Sequence, residues 1–166
     1  MKKTWAFLLV LTSFFSFSKE ESNWEYHEKT DKLRNSSFYF ARNMSINTND
    51  LGFPYEKNKL GITLQKHLND QNILLEMFDG QFFCSNPTEY DTCPFTIRFD
   101  NGEISKEEYI PYRGGGEKAF IFEPESFFKR MKNAHQAIIE LQAYRGGTVQ
   151  YVFDLSGFDV KKSHFE

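Results

Sequence analysis

The sequence predicts a mainly β fold, an antiparallel β-sandwich or open barrel of about eight strands with one α-helix late in the chain. Three observations carry this prediction. Short segments that alternate apolar and polar residues recur at regular spacing between turn-rich stretches. The chain holds 19 Phe and 8 Tyr, residue types that suit a pleated sheet better than a helix. The one clear helical signature, Pro124-Glu125 ahead of an amphipathic run, arrives only after that series of strands.

Residues 1–18 read as a signal peptide and 19–166 as a single domain. Met1-Lys2-Lys3 is a basic start, Trp5 to Leu11 is an apolar run, and Ser16-Phe17-Ser18 fits the small-x-small rule for cleavage after Ser18. The apolar run is too short for a membrane span, which needs about 20 residues. Removing Lys2 and Lys3 from the 20 basic residues leaves 18 against 23 acidic ones, a formal charge of −5. That balance argues against nucleic acid as a partner, because neutralising phosphates needs a basic stripe.

Taken in order, Ser22 to Arg34 is an edge segment and Phe38 to Arg42 a short strand. Residues 45–59, with Asn47, Asn49, Asp50, Gly52 and Pro54, form a loop. Leu60, Ile62 and Leu64 alternate with polar or small residues as a half-buried strand, and Asn69 to Asn72 turns into a strand over Ile73 to Phe78. Asp79-Gly80 marks a bulge or turn before Gln81 to Cys84. Phe95, Ile97 and Phe99 define the next strand; Asn101-Gly102 signals a tight hairpin returning through Ile104 to Tyr112. Gly114-Gly115-Gly116 is a loop and Lys118 to Phe122 a short strand. The helix that follows turns Phe127, Phe128 and Met131 to the core, and Arg145-Gly146-Gly147 joins the strands His135 to Tyr144 and Thr148 to Leu155.

Chemistry-bearing patterns are sparse. Cys84 and Cys93 are the only cysteines, and in an oxidising compartment they read as a structural disulfide around a polar, turn-rich loop. Cys-x-x-Cys redox spacing is absent. The histidines, His27, His67, His135 and His164, are dispersed without metal-ligand spacing, so neither metal nor cofactor is expected. Gly114-Gly115-Gly116-Glu117-Lys118 lacks the Gly-Lys-Ser/Thr ending of a phosphate loop and leads into a strand. Glu76 and Asp100 are one imaginable pair of hydrolytic carboxylates. Arg98 and Asp100, two residues apart on a polar face, are expected to pair across strands or to meet a ligand carboxylate. Trp24, Tyr26, Tyr39, Tyr55, Tyr90 and Tyr109 are more than a small domain buries, so exposed aromatics are expected to serve recognition, with Trp24, Tyr26, Arg98, Asp100, Tyr109 and Arg113 as the candidate surface. The structural alternative is that these rings cover the edges of the sandwich.

Several short motifs carry a family resemblance: Trp24 with Asp31, Leu60-Gly61-Ile62-Thr63-Leu64, Gln81-Phe82-Phe83-Cys84, Ile97-Arg98-Phe99-Asp100, Phe120-Ile121-Phe122 and Phe153-Asp154-Leu155-Ser156-Gly157-Phe158. In this layout the chain resembles small exported bacterial proteins of unassigned activity and, more loosely, the VasI/TagO-type accessory proteins of type VI secretion. The likeness spans most of residues 24–158. Phe158 stands where that ending carries Leu, and the cysteines bracket one short loop instead of lying far apart. The resemblance implies a non-catalytic role in secretion.

The sequence therefore leads to the expectation of an exported, non-enzymatic binding or accessory protein of the bacterial envelope, located in the periplasm. Its expected partner is an envelope or secretion-system protein or the cell wall, with no membrane span after cleavage. The alternatives are an envelope hydrolase using acidic residues and an inhibitor that plugs an enzyme with its Cys84–Cys93 loop.

Overall fold

A computed structural model describes residues 22–85 and 87–165; the expected signal segment lies outside them. Nine strands form one continuous antiparallel sheet, so the mainly β expectation holds, and the sheet is not closed into a barrel. The strands are β1 (Trp24–Asp31), β2 (Ser36–Met44), β3 (Lys59–His67), β4 (Asp70–Phe78), β5 (Cys93–Phe99), β6 (Ser105–Pro111), β7 (Lys118–Ile121), β8 (Gln136–Ala143) and β9 (Gly147–Asp154). Helix α1 (Pro124–Met131) lies between β7 and β8, and a short α2 (Val160–Ser163) closes the described chain. Spatial order is β1-β2-β3-β4-β7-β6-β5-β8-β9, so β7 slots between β4 and β6 while β5 joins β8.

Alternation decides which side becomes the core. Leu60, Ile62 and Leu64 of β3, Ile73, Leu75 and Met77 of β4, Ile139 and Leu141 of β8, and Tyr151 and Phe153 of β9 are all buried on the inner side. Helix α1 adds Phe127, Phe128 and Met131 to the same core, as its amphipathic pattern predicts. Pro124 opens the helix and Glu125 lies in its first turn, where negative charge suits the helix dipole.

The sheet curves far enough for its two ends to meet. The Ile46 N–H donates to Val152 O at 2.8 Å. Around that bond, the amides of Asn47 and Asn49 both reach Gln150 O at 2.9 Å, and Asn43 donates to Asp154 O at 2.8 Å. Asn47 Oδ1 accepts from the Val152 N–H at 2.7 Å. The outer edge of β9 is thus satisfied by the Ile46 backbone and by side chains instead of a tenth strand, which protects it from pairing with another chain. The end of β2 and the loop that follows it supply this seam.

Some local expectations differ from the structure. Gln81 to Cys84, after the Asp79-Gly80 turn, meets the sheet in one isolated bridge, Phe82 to Ala143. The Asn-Gly turn is not a two-residue hairpin, because β5 and β6 last pair at Ile97 and Ser105. Asp100 takes the left-handed conformation there, at φ 49°. Its carboxylate accepts from the His135 and Gln136 N–H groups, both at 2.9 Å, which draws the turn towards the start of β8.

Tyr109 and Tyr151 are 1% and 0% exposed. Burial pushes the Tyr109 phenol up to about 12 and raises that of Tyr151 still further. The folded state therefore keeps protons that the unfolded chain releases near pH 10. Their contribution to stability is complete below pH 10 and is lost as pH rises through about 12. Urea unfolding midpoints should be unaffected by these groups up to pH 10 and fall above it.

Candidate binding surface

The six residues expected to form one surface do not converge. Trp24 is 5% exposed; its Nε1–H donates to Leu155 O at 3.1 Å and its ring packs 4.7 Å from that of Phe158. It fastens β1 to the end of β9 and belongs to the core. Tyr109 is also interior and donates to Phe83 O at 3.4 Å. Tyr26 is half-buried on the same inner side, where its hydroxyl accepts from the Asp159 N–H at 2.7 Å. Burial raises its phenol above the ordinary value, and the bond from Asp159 opposes that rise. Arg113 is exposed in the loop after β6. Arg98 does not pair with Asp100, which is committed to the start of β8. The physical reason is strand parity and turn geometry: Trp24, Tyr26 and Tyr109 point inward while Arg98 points outward.

A different aromatic surface lies on the outside of the sheet. Register places Arg42, Thr63, Leu74, Phe120 and Ile110 in one row across β2, β3, β4, β7 and β6. The next row runs Met44, Gly61, Glu76 and Lys118, with Tyr112 joined to Lys118 by a backbone bond. Ile110, Tyr112 and Phe78 are 43%, 49% and 37% exposed, whereas Leu74 between them is 4% exposed. Tyr112 meets Phe120 edge-on at 6.1 Å. Gly61 leaves the room that this packing needs: a Cβ there would stand 3.0 Å from Met44 Sδ and 3.1 Å from the Phe78 ring.

Beside the rings lies an ion network. Glu76, 8% exposed, accepts from Arg42 Nη2 at 2.9 Å, Lys118 Nζ at 3.2 Å and Thr63 Oγ1 at 3.2 Å. Arg42 also lies 5.8 Å over the Phe78 ring. The face is thus apolar in its rings, and its buried carboxylate is paired. It has the composition of a recognition-site centre.

The disulfide forms as expected, with Cys84 and Cys93 Cα atoms 5.7 Å apart. Its loop is held from within by the Thr88 N–H to Thr92 O bond at 2.8 Å and from outside by Thr92, whose hydroxyl donates to Glu108. Tyr90 stands 68% exposed on this loop and stacks 6.4 Å from Phe122. Together they wall a cleft of ≈ 250 Å³ that also contains Lys106, Glu107, Glu108 and Glu123. Two of these carboxylates are committed, Glu107 to Arg130 of α1 and Glu108 to Thr92. Glu76 and Asp100, imagined as a hydrolytic pair, belong to β4 and the end of β5, with β7 and β6 between them. Among the described residues no group of three His, Cys, Asp or Glu is placed to hold a metal ion.

The signal for the outer surface is present in the sequence. Ile73-Leu74-Leu75 and Ala119-Phe120-Ile121-Phe122 are apolar at both parities, the pattern of strands with two faces to cover. Compared with protein-family models, curated proteins and solved structures, the chain matches none.

Proposed function

We infer that the chain is an exported, non-enzymatic binding module of the bacterial cell envelope that engages a protein partner through the outer face of its sheet. The observation that carries this reading is the cluster of Leu74, Phe120, Ile110, Tyr112 and Phe78 across adjoining rows of a face whose buried carboxylate, Glu76, is already paired with Arg42 and Lys118. Covering such a face gains apolar contact at its rings, which is how an interface centre acquires affinity. Two features support export to the periplasm: the disulfide, which persists in an oxidising compartment, and the basic-apolar-small start of the sequence. No helix among the described residues is long and apolar enough to cross a membrane. The resemblance to type VI accessory proteins supplies the partner class, an envelope component of a secretion system.

Fractionation of cells expressing the tagged chain tests the location. The expected result is release with the periplasmic fraction, a mature N-terminus at Lys19 and no alkylatable thiol. A cytoplasmic protein with two free thiols would remove the export half of the proposal.

The inhibitor reading has one observation in its favour, the exposed and internally braced Tyr90 loop. A chain that inhibits an envelope hydrolase and loses that inhibition on Tyr90→Ala would replace the accessory reading.

A further inference from the structure

Arg98 is a cation without an ion-pair partner among the described residues. It projects from the outer side of β5, where it makes no hydrogen bond or ion pair among the described residues, and its Nε–H is buried without an acceptor. A buried guanidinium N–H without an acceptor is uncommon in a folded protein, and here no carboxylate of the described residues pairs with the group. Asp100 is bound to the His135 and Gln136 N–H groups. Glu140, on the neighbouring strand, accepts from Gln150 Nε2 at 2.8 Å and from Thr96 Oγ1 at 3.3 Å.

Arg98 lines a cleft of ≈ 220 Å³ with Thr96, Ile104, Ile138, Glu140 and Gln150. Ile104, 71% exposed on the β5–β6 loop, and the half-buried Ile138 give this cleft apolar walls beside the guanidinium. Its volume is below the roughly 300–1,000 Å³ of sites for whole drug-sized ligands, so it suits an end group.

We propose that this cleft binds a carboxylate carrying a short aliphatic group, either a free acid or the C-terminus of a peptide that ends in an aliphatic residue. The planar fork of Arg98 matches a carboxylate, and the isoleucines take the alkyl part. One guanidinium beside the negative Glu140 disfavours a doubly charged phosphate. This site lies on β5 and β8, apart from the aromatic rows on β2, β3, β4, β7 and β6, and does not depend on the envelope reading.

The test is a nitrogen-15 NMR titration of the folded chain that follows the Arg98 Nε–H signal and the Ile138 and Gln150 amides. The probes are hexanoate, the dipeptide acetyl-Ala-Leu with a free carboxylate, its C-terminal amide, and inorganic phosphate. The expected result is saturable shifts at these signals with hexanoate, the dipeptide acid or both, and none with the amide. Saturation by the dipeptide alone assigns a peptide terminus, and by hexanoate alone a free acid. Arg98→Gln and Ile104→Asp, both on the outer side, should each weaken binding by about tenfold or more without altering signals from the core. No saturable shift with either acid, undiminished binding in Arg98→Gln, or phosphate binding as tightly as the acids would each overturn the proposal.

Discussion

Phe128→Ala is expected to destabilise the fold by about 3–5 kcal/mol, the cost of emptying a fully enclosed aromatic site. Phe128 is 1% exposed and joins three parts of the chain at once. Its ring centre lies 5.9 Å from that of Phe158 and 4.7 Å from that of Phe165, while the ring itself belongs to α1. Removing it opens a cavity under the helix and also frees the C-terminal segment that Phe165 anchors. Domains of this size are stable by only about 5–15 kcal/mol, so the loss is a large fraction of the total. Urea unfolding of the variant should show a much lower midpoint. Phe53→Ala, at a site 79% exposed, should remain within about 0.5 kcal/mol of the parent. Equal effects at the two positions would show that the core is not where the structure places it.

Replacing Cys84 and Cys93 together by Ser should cost about 2–3 kcal/mol on the chain-entropy account of a short closed loop. The bond holds the Gln81 to Cys84 segment, which has only one bridge to the sheet, against the first residue of β5. Local effects should therefore exceed the global one. Hydrogen exchange should quicken first at Phe82 and Phe83, whose N–H groups bond Gly116 O at 2.8 Å and Gln142 O at 3.0 Å. Tyr90 should lose its stacking on Phe122, because the loop that carries it is no longer closed. If the reduced and oxidised chains unfold at the same denaturant concentration with the same exchange pattern, the loop is held by its threonines and Glu108 alone.

Local chemistry explains what was legible in the sequence. Pro124, Glu125 and the spacing of Phe127, Phe128 and Met131 are contained within one helix, so their pattern is complete without the rest of the chain. The β8–β9 hairpin is similarly local, and both Arg145 and Gly147 take φ 67° in its turn. The cysteines needed only their number and spacing. Strand order was not legible, because placing β7 beside β4 and β5 beside β8 depends on contacts far apart in sequence. For the same reason the expected surface was mostly misplaced. Trp24 and Tyr109 look like surplus aromatics until the curvature of the sheet brings Leu155 over the first and the Phe82 ring to 5.2 Å from the second. The expected pairing of Arg98 with Asp100 does not form, because the turn diverts Asp100 to β8.

Site-specific photocrosslinking in intact bacterial cells tests the central claim most directly. The photoreactive residue would be placed at Tyr112 or Phe78 on the outer face, and at the exposed Phe53 as the control. The account predicts that one envelope protein is captured repeatedly from Tyr112 and Phe78 and is absent from the Phe53 sample. Capture that does not depend on position, or none from the outer face, would contradict it.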